Sequence, residues 1–295
     1  MPIAHEFQYE KPATISEALD LLAQTGKFIK VLAGGTDLTV HIKEDIVAPD
    51  LLVDIKGIPE LKKMTFADNK LYFGSNVTFT ELIKSDIVKQ NFRMLWESSE
   101  TVASVGIRNV GTVAGNICSA VPSLDSAPAL LVYDAQIHLK SKSGERTVAI
   151  KDWFIGVKKT AIKPDELLMG ITLTLPEGKS AGCYKKLGRY AGEDLAQVGM
   201  GVAALENKNY RIAVCAVGPI PKRAEKTEQF LAGKELSEDV ILEAQNIIAT
   251  EISPITDIRA SKEYRIHMVK IMMERALKES VALLKGENVK SQPII

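Results

Sequence analysis

The chain has 295 residues, of which 46% are hydrophobic, so it is long enough to bury a large core and to form two domains or groups of subdomains. Lysine and arginine together number 37, the same as aspartate and glutamate, so there is no basic excess that would indicate nucleic-acid binding. Because residues 1–10 lack the apolar segment of a signal peptide and no run approaches about 18 apolar residues, we expect a soluble, cytoplasmic protein without membrane insertion.

Residues 1–57 are predicted to form a small lobe of βαβ type. Thr14 and Glu17 have the spacing of a capping box, and the apolar positions that follow have helical periodicity. A β-branched, apolar segment over 29–33 predicts a strand, and a second buried strand is predicted over 50–55. A Gly-Ile-Pro sequence then ends the lobe.

Residues 31–38 join the helix and strands of this lobe and read Val-Leu-Ala-Gly-Gly-Thr-Asp-Leu. Gly34 and Gly35 permit positive φ and close approach of the backbone. Successive N–H groups at such a turn form an anion site, for which phosphate is the commonest ligand, whereas the alternative is an ordinary hairpin turn. Asp37 has the same sign of charge as a phosphate, so we expect its carboxylate to turn away and cap the next segment.

Residues 58–178 are predicted to form a second lobe. A hairpin is expected over 63–74, and Thr78 with Glu81 forms another capping box. The remaining predicted elements are a helix over 86–98, a short helix over 126–134, a hairpin over 136–150 and a strand over 171–175.

The segment 106–128 within this lobe is dense in glycine, small residues and short hydroxyl and amide side chains. Small residues let a ligand approach the backbone, Thr, Ser and Asn supply hydrogen bonds, and Asp125 suits a pair of hydroxyl groups. The segments 31–38 and 106–128 therefore look like two halves of one cofactor site. Neither contains the G-x-G-x-x-G or G-x-x-x-x-G-K-[ST] pattern, which argues against a Rossmann domain and a phosphate-loop NTPase.

Residues 179–287 are predicted to form a third domain of α+β type. Strands are expected over 183–187, 197–206 and 211–217, followed by helices over 222–231, 238–250 and 261–284. This order predicts a three-stranded antiparallel sheet covered by helices. Residues 288–295 are polar and are expected to be a frayed tail.

The cysteines and histidines give no pattern of a metal or acid–base site. Cys118, Cys183 and Cys215 are far apart and have no C-x-x-C spacing, so a metal or iron–sulfur site and a disulfide framework built from this chain are not expected. Cys118 lies in the second glycine-rich segment, where we favour a small packing residue over a redox thiol. We predict no catalytic residue.

Two motifs carry a resemblance to a known family, namely A-G-G-T-D-L and I-R-N-V-G-T-V-A-G-N-I-C-S-A-V-P-S-L-D-S-A-P-A-L. They resemble the FAD-binding medium subunit of the molybdenum hydroxylases, the xanthine dehydrogenase and carbon monoxide dehydrogenase flavoproteins. Residues 186–189 with 194–196, and residues 257–265, resemble two further motifs of that family. The resemblance implies a two-lobed FAD-binding fold of the vanillyl-alcohol-oxidase/PCMH type, followed by a C-terminal α+β domain.

The same resemblance implies which residues bind FAD. The backbone of the first segment and the Thr36 hydroxyl would contact the pyrophosphate, and Lys186 would approach the flavin, where a cation stabilises the reduced ring. Lys185 points to the opposite face of the strand, so only one of the two is expected to point inward, and a solvated strand-end lysine is the alternative. The full expected set is Val31, Leu32, Ala33, Gly34, Gly35, Thr36, Asp37, Leu38, Thr112, Ala114, Gly115, Asn116, Cys118, Ser123, Asp125, Leu168 and Lys186.

The resemblance implies an electron-transfer subunit of a hetero-oligomer. A molybdenum-cofactor large subunit would oxidise the substrate, an iron–sulfur small subunit would carry the electrons, and FAD in this chain would pass them to NAD, a quinone or oxygen. The molybdenum cofactor and the two-iron–two-sulfur clusters are then expected only in the partners. The alternatives are a stand-alone FAD oxidoreductase, which the lack of a catalytic grouping disfavours, and a non-catalytic assembly subunit, which the intact glycine segments disfavour.

Overall fold

Three sheets organise the chain in the computed structural model, which describes residues 3, 5–190, 192–290 and 292–294. They follow one another along the sequence and meet around one large cavity. None of the described helices has the length and apolar character needed to cross a membrane.

The first lobe is a three-stranded parallel sheet in the order β1-β3-β2. Thr14 and Glu17 form the predicted capping box, since each backbone N–H donates to the other side chain. Behind it, Ala18 and Leu19 pack into the same core as Val53. The predicted βαβ lobe is therefore confirmed, with the elements β1 (Gln8–Glu10), α1 (Ile15–Leu22), β2 (Ile29–Leu32), α2 (Leu38–Lys43) and β3 (Leu51–Asp54).

The second lobe is a five-stranded antiparallel sheet in the order β4-β5-β10-β6-β7, covered by short helices. Leu71, Ile137 and Ile171 from three of its strands lie in one core with these helices. The elements are β4 (Met64–Ala67), β5 (Lys70–Gly74), α3 (Phe79–Lys84), α4 (Asp86–Asn91), α5 (Arg93–Glu100), α6 (Val105–Arg108), α7 (Val113–Ser119), α8 (Ser126–Val132), β6 (Gln136–Ser141), β7 (Gly144–Ala149), α9 (Ile150–Trp153), β8 (Phe154–Gly156), β9 (Lys159–Thr160) and β10 (Leu167–Thr174).

Two elements of this lobe differ from the sequence prediction. The single helix expected over 86–98 is divided at Phe92, whose backbone leaves the helical region (φ −124°, ψ 51°). Its buried ring packs edge-on against Tyr133, with 5.2 Å between the ring centroids. The last strand begins at Leu167 rather than at 171, and a bulge precedes Gly170, where the Tyr72 ring leaves no space for a Cβ.

The third domain has a four-stranded antiparallel sheet in the order β11-β12-β13-β14, so the prediction of three strands is wrong by one. Residues 222–223, expected to begin a helix, pair with β13 instead. Arg223 is held there because its guanidinium donates twice to the Glu228 carboxylate at 2.6 Å. The elements are β11 (Ser180–Leu187), β12 (Val198–Leu205), β13 (Tyr210–Cys215), β14 (Lys222–Arg223), α10 (Glu225–Leu231), α11 (Glu238–Glu251) and α12 (Lys262–Leu284).

This third sheet is covered on both faces. Cys183 and Val202 pack on one face with Met272 of α12. On the other face, Tyr184 and Ala203 belong to the core of the second lobe. The sheet therefore fixes the third domain to the second lobe.

The C-terminal residues 292–294 lie along β11, so the expected frayed tail is wrong for this part. The Lys186 backbone N–H donates to the Pro293 carbonyl at 2.6 Å. Lys186 also pairs with Ile294 in parallel register. These contacts extend the sheet beyond its β11 edge.

Candidate functional site

A cavity of about 1190 Å³ lies where the three parts of the chain meet. The first lobe contributes residues 33–38, and the second lobe contributes residues of α7 and of the loop that follows it. The third domain supplies a wall from two loops, which consists of Arg189, Tyr190, Glu193, Asp194, Leu195, Asp257, Ile258 and Arg259. Such a volume is above the ~300–1,000 Å³ typical of small-ligand sites and has room for an extended dinucleotide.

The two glycine-rich segments touch each other at the cavity wall. A Cβ added to Gly34 would lie 2.1 Å from the Val110 carbonyl oxygen and 2.8 Å from the Gly111 Cα. Gly111 is fixed in turn, because its carbonyl accepts a hydrogen bond from the Phe79 N–H at 3.1 Å. Only glycine at position 34 allows this backbone-to-backbone contact, so the two segments form one continuous wall.

The turn between β2 and α2 has the conformation that glycine favours. Gly35 has φ +75°, and its carbonyl accepts hydrogen bonds from the Thr39 N–H (3.0 Å) and hydroxyl (2.7 Å). A Cβ on Gly35 would meet the Leu32 side chain at 2.8 Å. The predicted tight turn with accessible backbone is therefore present.

Asp37 corrects one expectation. Its carboxylate makes no capping hydrogen bond to α2, and the residue lines the cavity. Capping residues are usually extended, whereas Asp37 has near-helical angles (φ −93°, ψ −48°) that keep its side chain from the free N–H groups.

The start of α7 exposes backbone to the cavity. Thr112 caps this helix, since its hydroxyl accepts a hydrogen bond from the Gly115 N–H at 2.9 Å. Gly115 is exposed, and a Cβ added there would meet only the Thr112 hydroxyl, at 3.1 Å. Asn116 is oriented by Ser126, whose hydroxyl donates to the amide oxygen at 2.7 Å. A ligand in the cavity can thus reach both the backbone and the Asn116 amide nitrogen.

Asp125 lies on the cavity wall and is held from behind by two buried side chains. Tyr184 donates its hydroxyl to one carboxylate oxygen at 2.8 Å, and the Lys186 ammonium lies 2.9 Å from the other. Burial raises the pKa of Asp125 above its ordinary value, and the positive charge of Lys186 opposes this effect. The carboxylate is therefore fixed in place and has little contact with water.

Lys186 itself does not line the cavity, which corrects the expectation that it reaches the cofactor directly. The side chain is 1% exposed, and its ammonium also donates to the Thr101 carbonyl at 2.9 Å. The solvated alternative is also wrong. Lys185 is buried on the opposite face, 2.6 Å from Glu279, so both lysines are buried, one on each face of the strand.

The structure brings most of the predicted cofactor-binding residues together. Leu32 lies under the turn and packs with Ile42 and Leu52, and Lys186 lies behind Asp125. All the others line the cavity, namely Val31, Ala33, Gly34, Gly35, Thr36, Asp37, Leu38, Thr112, Ala114, Gly115, Asn116, Cys118, Ser123, Asp125 and Leu168.

Cys118 is exposed within the cavity, not packed in the core as expected. Although the thiol faces the cavity, the protein packed around its other sides desolvates it and raises its pKa to about 12. The positive charge of Lys30 opposes this rise only in part. A thiol with this pKa stays protonated at neutral pH, which argues against a reactive thiolate.

Sequence reasoning missed Ser75 and did not assign the third-domain loops to the site. The Ser75 hydroxyl lies buried at the cavity wall with no hydrogen-bond partner among the described residues. No local sequence pattern identifies Ser75 as a site residue, because a serine after a hairpin is common. Tyr190 and Ile258 have exposed side chains at the cavity, and their motifs were visible in the sequence although their position was not.

Asp257 fixes the second of these loops. Its carboxylate accepts hydrogen bonds from the Arg259 and Ala260 N–H groups and from the guanidinium of the buried Arg265 at 2.7 Å. These donors outweigh the cost of burial and lower the pKa of Asp257 to about 2. Arg265 also donates to the Gln197 carbonyl at 2.6 Å, which ties the loop to the sheet.

We expect Asp257→Asn to destabilise the protein by ~1–2 kcal/mol at neutral pH. Because the folded-state pKa is depressed, the stabilisation exists above the ordinary pKa of 3.8 and is lost as the pH falls towards about 2. The difference in thermal unfolding between the two proteins should therefore shrink below pH ~4. A difference that is the same at every pH would contradict this assignment.

Comparison with known proteins identifies the family. Residues 5–176 match the family described as FAD binding domain in molybdopterin dehydrogenase, and residues 182–280 match the CO dehydrogenase flavoprotein C-terminal domain. The chain is 31% identical to the putative xanthine dehydrogenase FAD-binding subunit of Escherichia coli (strain K12), covering 95% of this chain and 97% of that protein. It is 30% identical to the carbon monoxide dehydrogenase medium chain of Hydrogenophaga pseudoflava, covering 93% and 97%.

The fold is similar to a solved structure of the same kind. The carbon monoxide dehydrogenase structure from Hydrogenophaga pseudoflava that lacks the Mo-pyranopterin moiety contains a chain with a TM-score of 0.90 and 30% identity, covering 96% of this chain and 99% of that one. The predicted fold class, cofactor and family resemblance are confirmed. The chain therefore belongs to the FAD-binding flavoprotein subunits of the xanthine and carbon monoxide dehydrogenase family, and it is an oxidoreductase subunit whose cofactor is FAD.

Proposed function

We propose that this chain is the electron-transfer subunit of a multi-subunit molybdenum hydroxylase. It takes electrons from the iron–sulfur clusters of a small partner subunit and passes them to an acceptor. The observation that carries the proposal is the single cavity walled by both glycine-rich segments, in a chain that matches an FAD-binding family. Bound FAD supplies reversible redox chemistry, and the protein binds, orients and tunes it.

The cavity walls fit the polar part of FAD. At Gly115 and at the 33–38 turn, the backbone is open to a ligand, as a pyrophosphate requires. The unpartnered Ser75 hydroxyl is a further hydrogen-bonding group that a bound cofactor can satisfy. Under this proposal, Thr36, Thr112, Gly115 and Asn116 hold the pyrophosphate and ribityl groups, and Ser123 and Asp125 hold hydroxyl groups.

The third-domain wall fits the flavin ring better than it fits phosphate. Arg189 is paired with Asp194 at 3.1 Å, and the arginines beside Asp257 are paired with that carboxylate. Each of these arginines is thus paired with a carboxylate, and the exposed side chains of Tyr190, Leu195 and Ile258 form apolar surface beside the pairs. An aromatic ring binds well on such a surface, whereas a phosphate needs unpaired donors.

The partners in this proposal are a molybdenum-cofactor large subunit and an iron–sulfur small subunit. The relatives are named as medium chains or FAD-binding subunits of dehydrogenases, which supports a hetero-oligomer. NAD, a quinone and oxygen are the candidate electron acceptors.

We also propose domain bounds at residues 1–57, 58–178 and 179–287, followed by a short tail.

The test is to purify the chain, record its visible spectrum, and identify the released cofactor. We expect stoichiometric FAD, and substrate-dependent reduction of the flavin only after the two partner subunits are added. Turnover of a substrate by the isolated chain would favour a stand-alone oxidoreductase. A colourless chain that does not bind added FAD would favour a non-catalytic assembly subunit and contradict the proposal.

A further inference from the structure

The C-terminal tail covers the edge of the third sheet at Lys186, near the end of β11. β11 is an edge strand, and residues 292–294 lie beside it through the Lys186 N–H to Pro293 hydrogen bond and the parallel pairing with Ile294. The Lys185 ammonium donates to the Gln292 carbonyl at 2.9 Å. Without this cover, the Lys186 N–H would be open to water or to another strand, whereas the Tyr184 N–H on the same edge donates to the Glu97 carboxylate at 2.7 Å.

The strand under the tail carries two adjacent buried ammonium groups. Lys185 is 4% exposed and lies 2.6 Å from Glu279, while Lys186 is 1% exposed and lies 2.9 Å from Asp125. Buried charges are tolerated only when they are paired and hydrogen-bonded. The tail therefore lies against the two residues of the strand whose environment depends most on the exclusion of water.

The tail is linked to the cofactor cavity through Lys186 and residues 101–103. A second cavity of about 630 Å³ lies between the tail and the second lobe, and Pro293, Ile294 and Thr101 line it. The Thr101 carbonyl accepts a hydrogen bond from the Lys186 ammonium, and the next two residues, 102 and 103, line the large cavity. One ion pair and one short segment thus connect the two cavities.

We propose that the C-terminal tail is a positioning element of the FAD site. By covering the β11 edge, it keeps water from Lys186 and holds the ammonium on Asp125 and the Thr101 carbonyl. Asp125 is thereby kept at the place where the cofactor contacts it. None of the described tail residues, 292–294, lines the large cavity. This inference rests on the proposed function, in which Asp125 binds FAD.

The test compares the full chain with a chain that ends at Glu287. We expect the shortened chain to bind FAD about ten-fold more weakly, a loss of ~1.4 kcal/mol, in a fluorescence titration. Hydrogen exchange should quicken at the β11 peptide that contains the Lys186 amide, while the β12 peptide should stay protected. A synthetic peptide of residues 288–295, added to the shortened chain, should restore its affinity for FAD. If the shortened chain were only less stable overall, the added peptide would not restore that affinity.

One full-length variant is a control and a second is an independent test. Gln292→Ala keeps the carbonyl that Lys185 contacts, so its FAD affinity should equal that of the unmodified chain. Ile294→Asp replaces an apolar side chain that lines the second cavity with a hydrated carboxylate, which should bring water to the β11 edge and weaken FAD binding at full chain length.

The outcomes separate this inference from the proposed function. Equal FAD affinity and equal exchange at β11 in the full and shortened chains would overturn the positioning role alone. If the shortened chain does not fold, an Ile294→Asp chain with unchanged FAD affinity would overturn it instead. A full chain that binds no FAD would overturn the proposed function and this inference together.

Discussion

The Gly34→Ala chain is expected to be purified without bound FAD. The new Cβ would lie 2.1 Å from the Val110 carbonyl oxygen, and the neighbouring atoms are backbone that no rotamer change can move. The two glycine-rich segments must therefore separate, and both contribute to the FAD-binding wall. We expect the dissociation constant for FAD to rise at least about 100-fold, which is ~2.7 kcal/mol.

A matched control for this variant is Gly106→Ala, in the same glycine-rich region but outside the cavity lining. A Cβ there would meet only the Ser104 hydroxyl, at 3.8 Å, so FAD binding should be unchanged. Circular dichroism of both variants checks that the fold is kept. Stoichiometric FAD in folded Gly34→Ala would show that the two segments do not need to touch in order to bind the cofactor.

Lys186→Met should be the most destabilising single change at the site. It leaves the Asp125 carboxylate buried without its cation, which costs ~3–5 kcal/mol when a buried pair is broken. Urea unfolding at neutral pH measures the loss. Lys70→Met, which removes an exposed lysine from β5, is the control for the change in net charge and should have little effect.

The pH dependence of this effect has a definite sign. Burial already raises the pKa of Asp125, and without Lys186 that pKa rises further. A carboxyl with a raised folded-state pKa costs stability above its ordinary pKa of 3.8 and costs nothing once both states are protonated. The difference in the free energy of unfolding between Lys186→Met and the unmodified chain should therefore shrink as the pH falls towards ~4. The double variant Asp125→Asn/Lys186→Met should recover part of the stability, because the unpaired carboxylate is then removed together with the ammonium. A deficit that persists unchanged in the double variant would show that the lysine acts through packing.

Local signals in the sequence predicted the elements that depend on local contacts. The capping boxes at Thr14 and Thr78 place two helix starts correctly, and both hairpins of the second lobe are where the turn residues put them. The division at Phe92 and the added strand β14 depend on distant partners, Tyr133 and β13 respectively. No pattern within a single segment reports such partners.

The same distinction holds for the cofactor site. The requirement for glycine at position 34 comes from backbone geometry, and glycine at that position is visible in the sequence. The position of Lys186 depends on three segments that meet only in the folded chain, those of Thr101, Asp125 and Pro293. The sequence therefore could not show that Lys186 lies behind the cavity wall and not on it.

The sharing of one sheet between two cores limits how the protein can be divided. Tyr184 and Ala203 belong to the core of the second lobe although they lie beyond residue 178, the proposed end of that lobe. A cut at that position would leave apolar surface on both fragments. Although two separate family models match the chain, its two matched regions are expected to behave as one cooperative unit, so exchange of either part between relatives requires the shared interface to be exchanged with it.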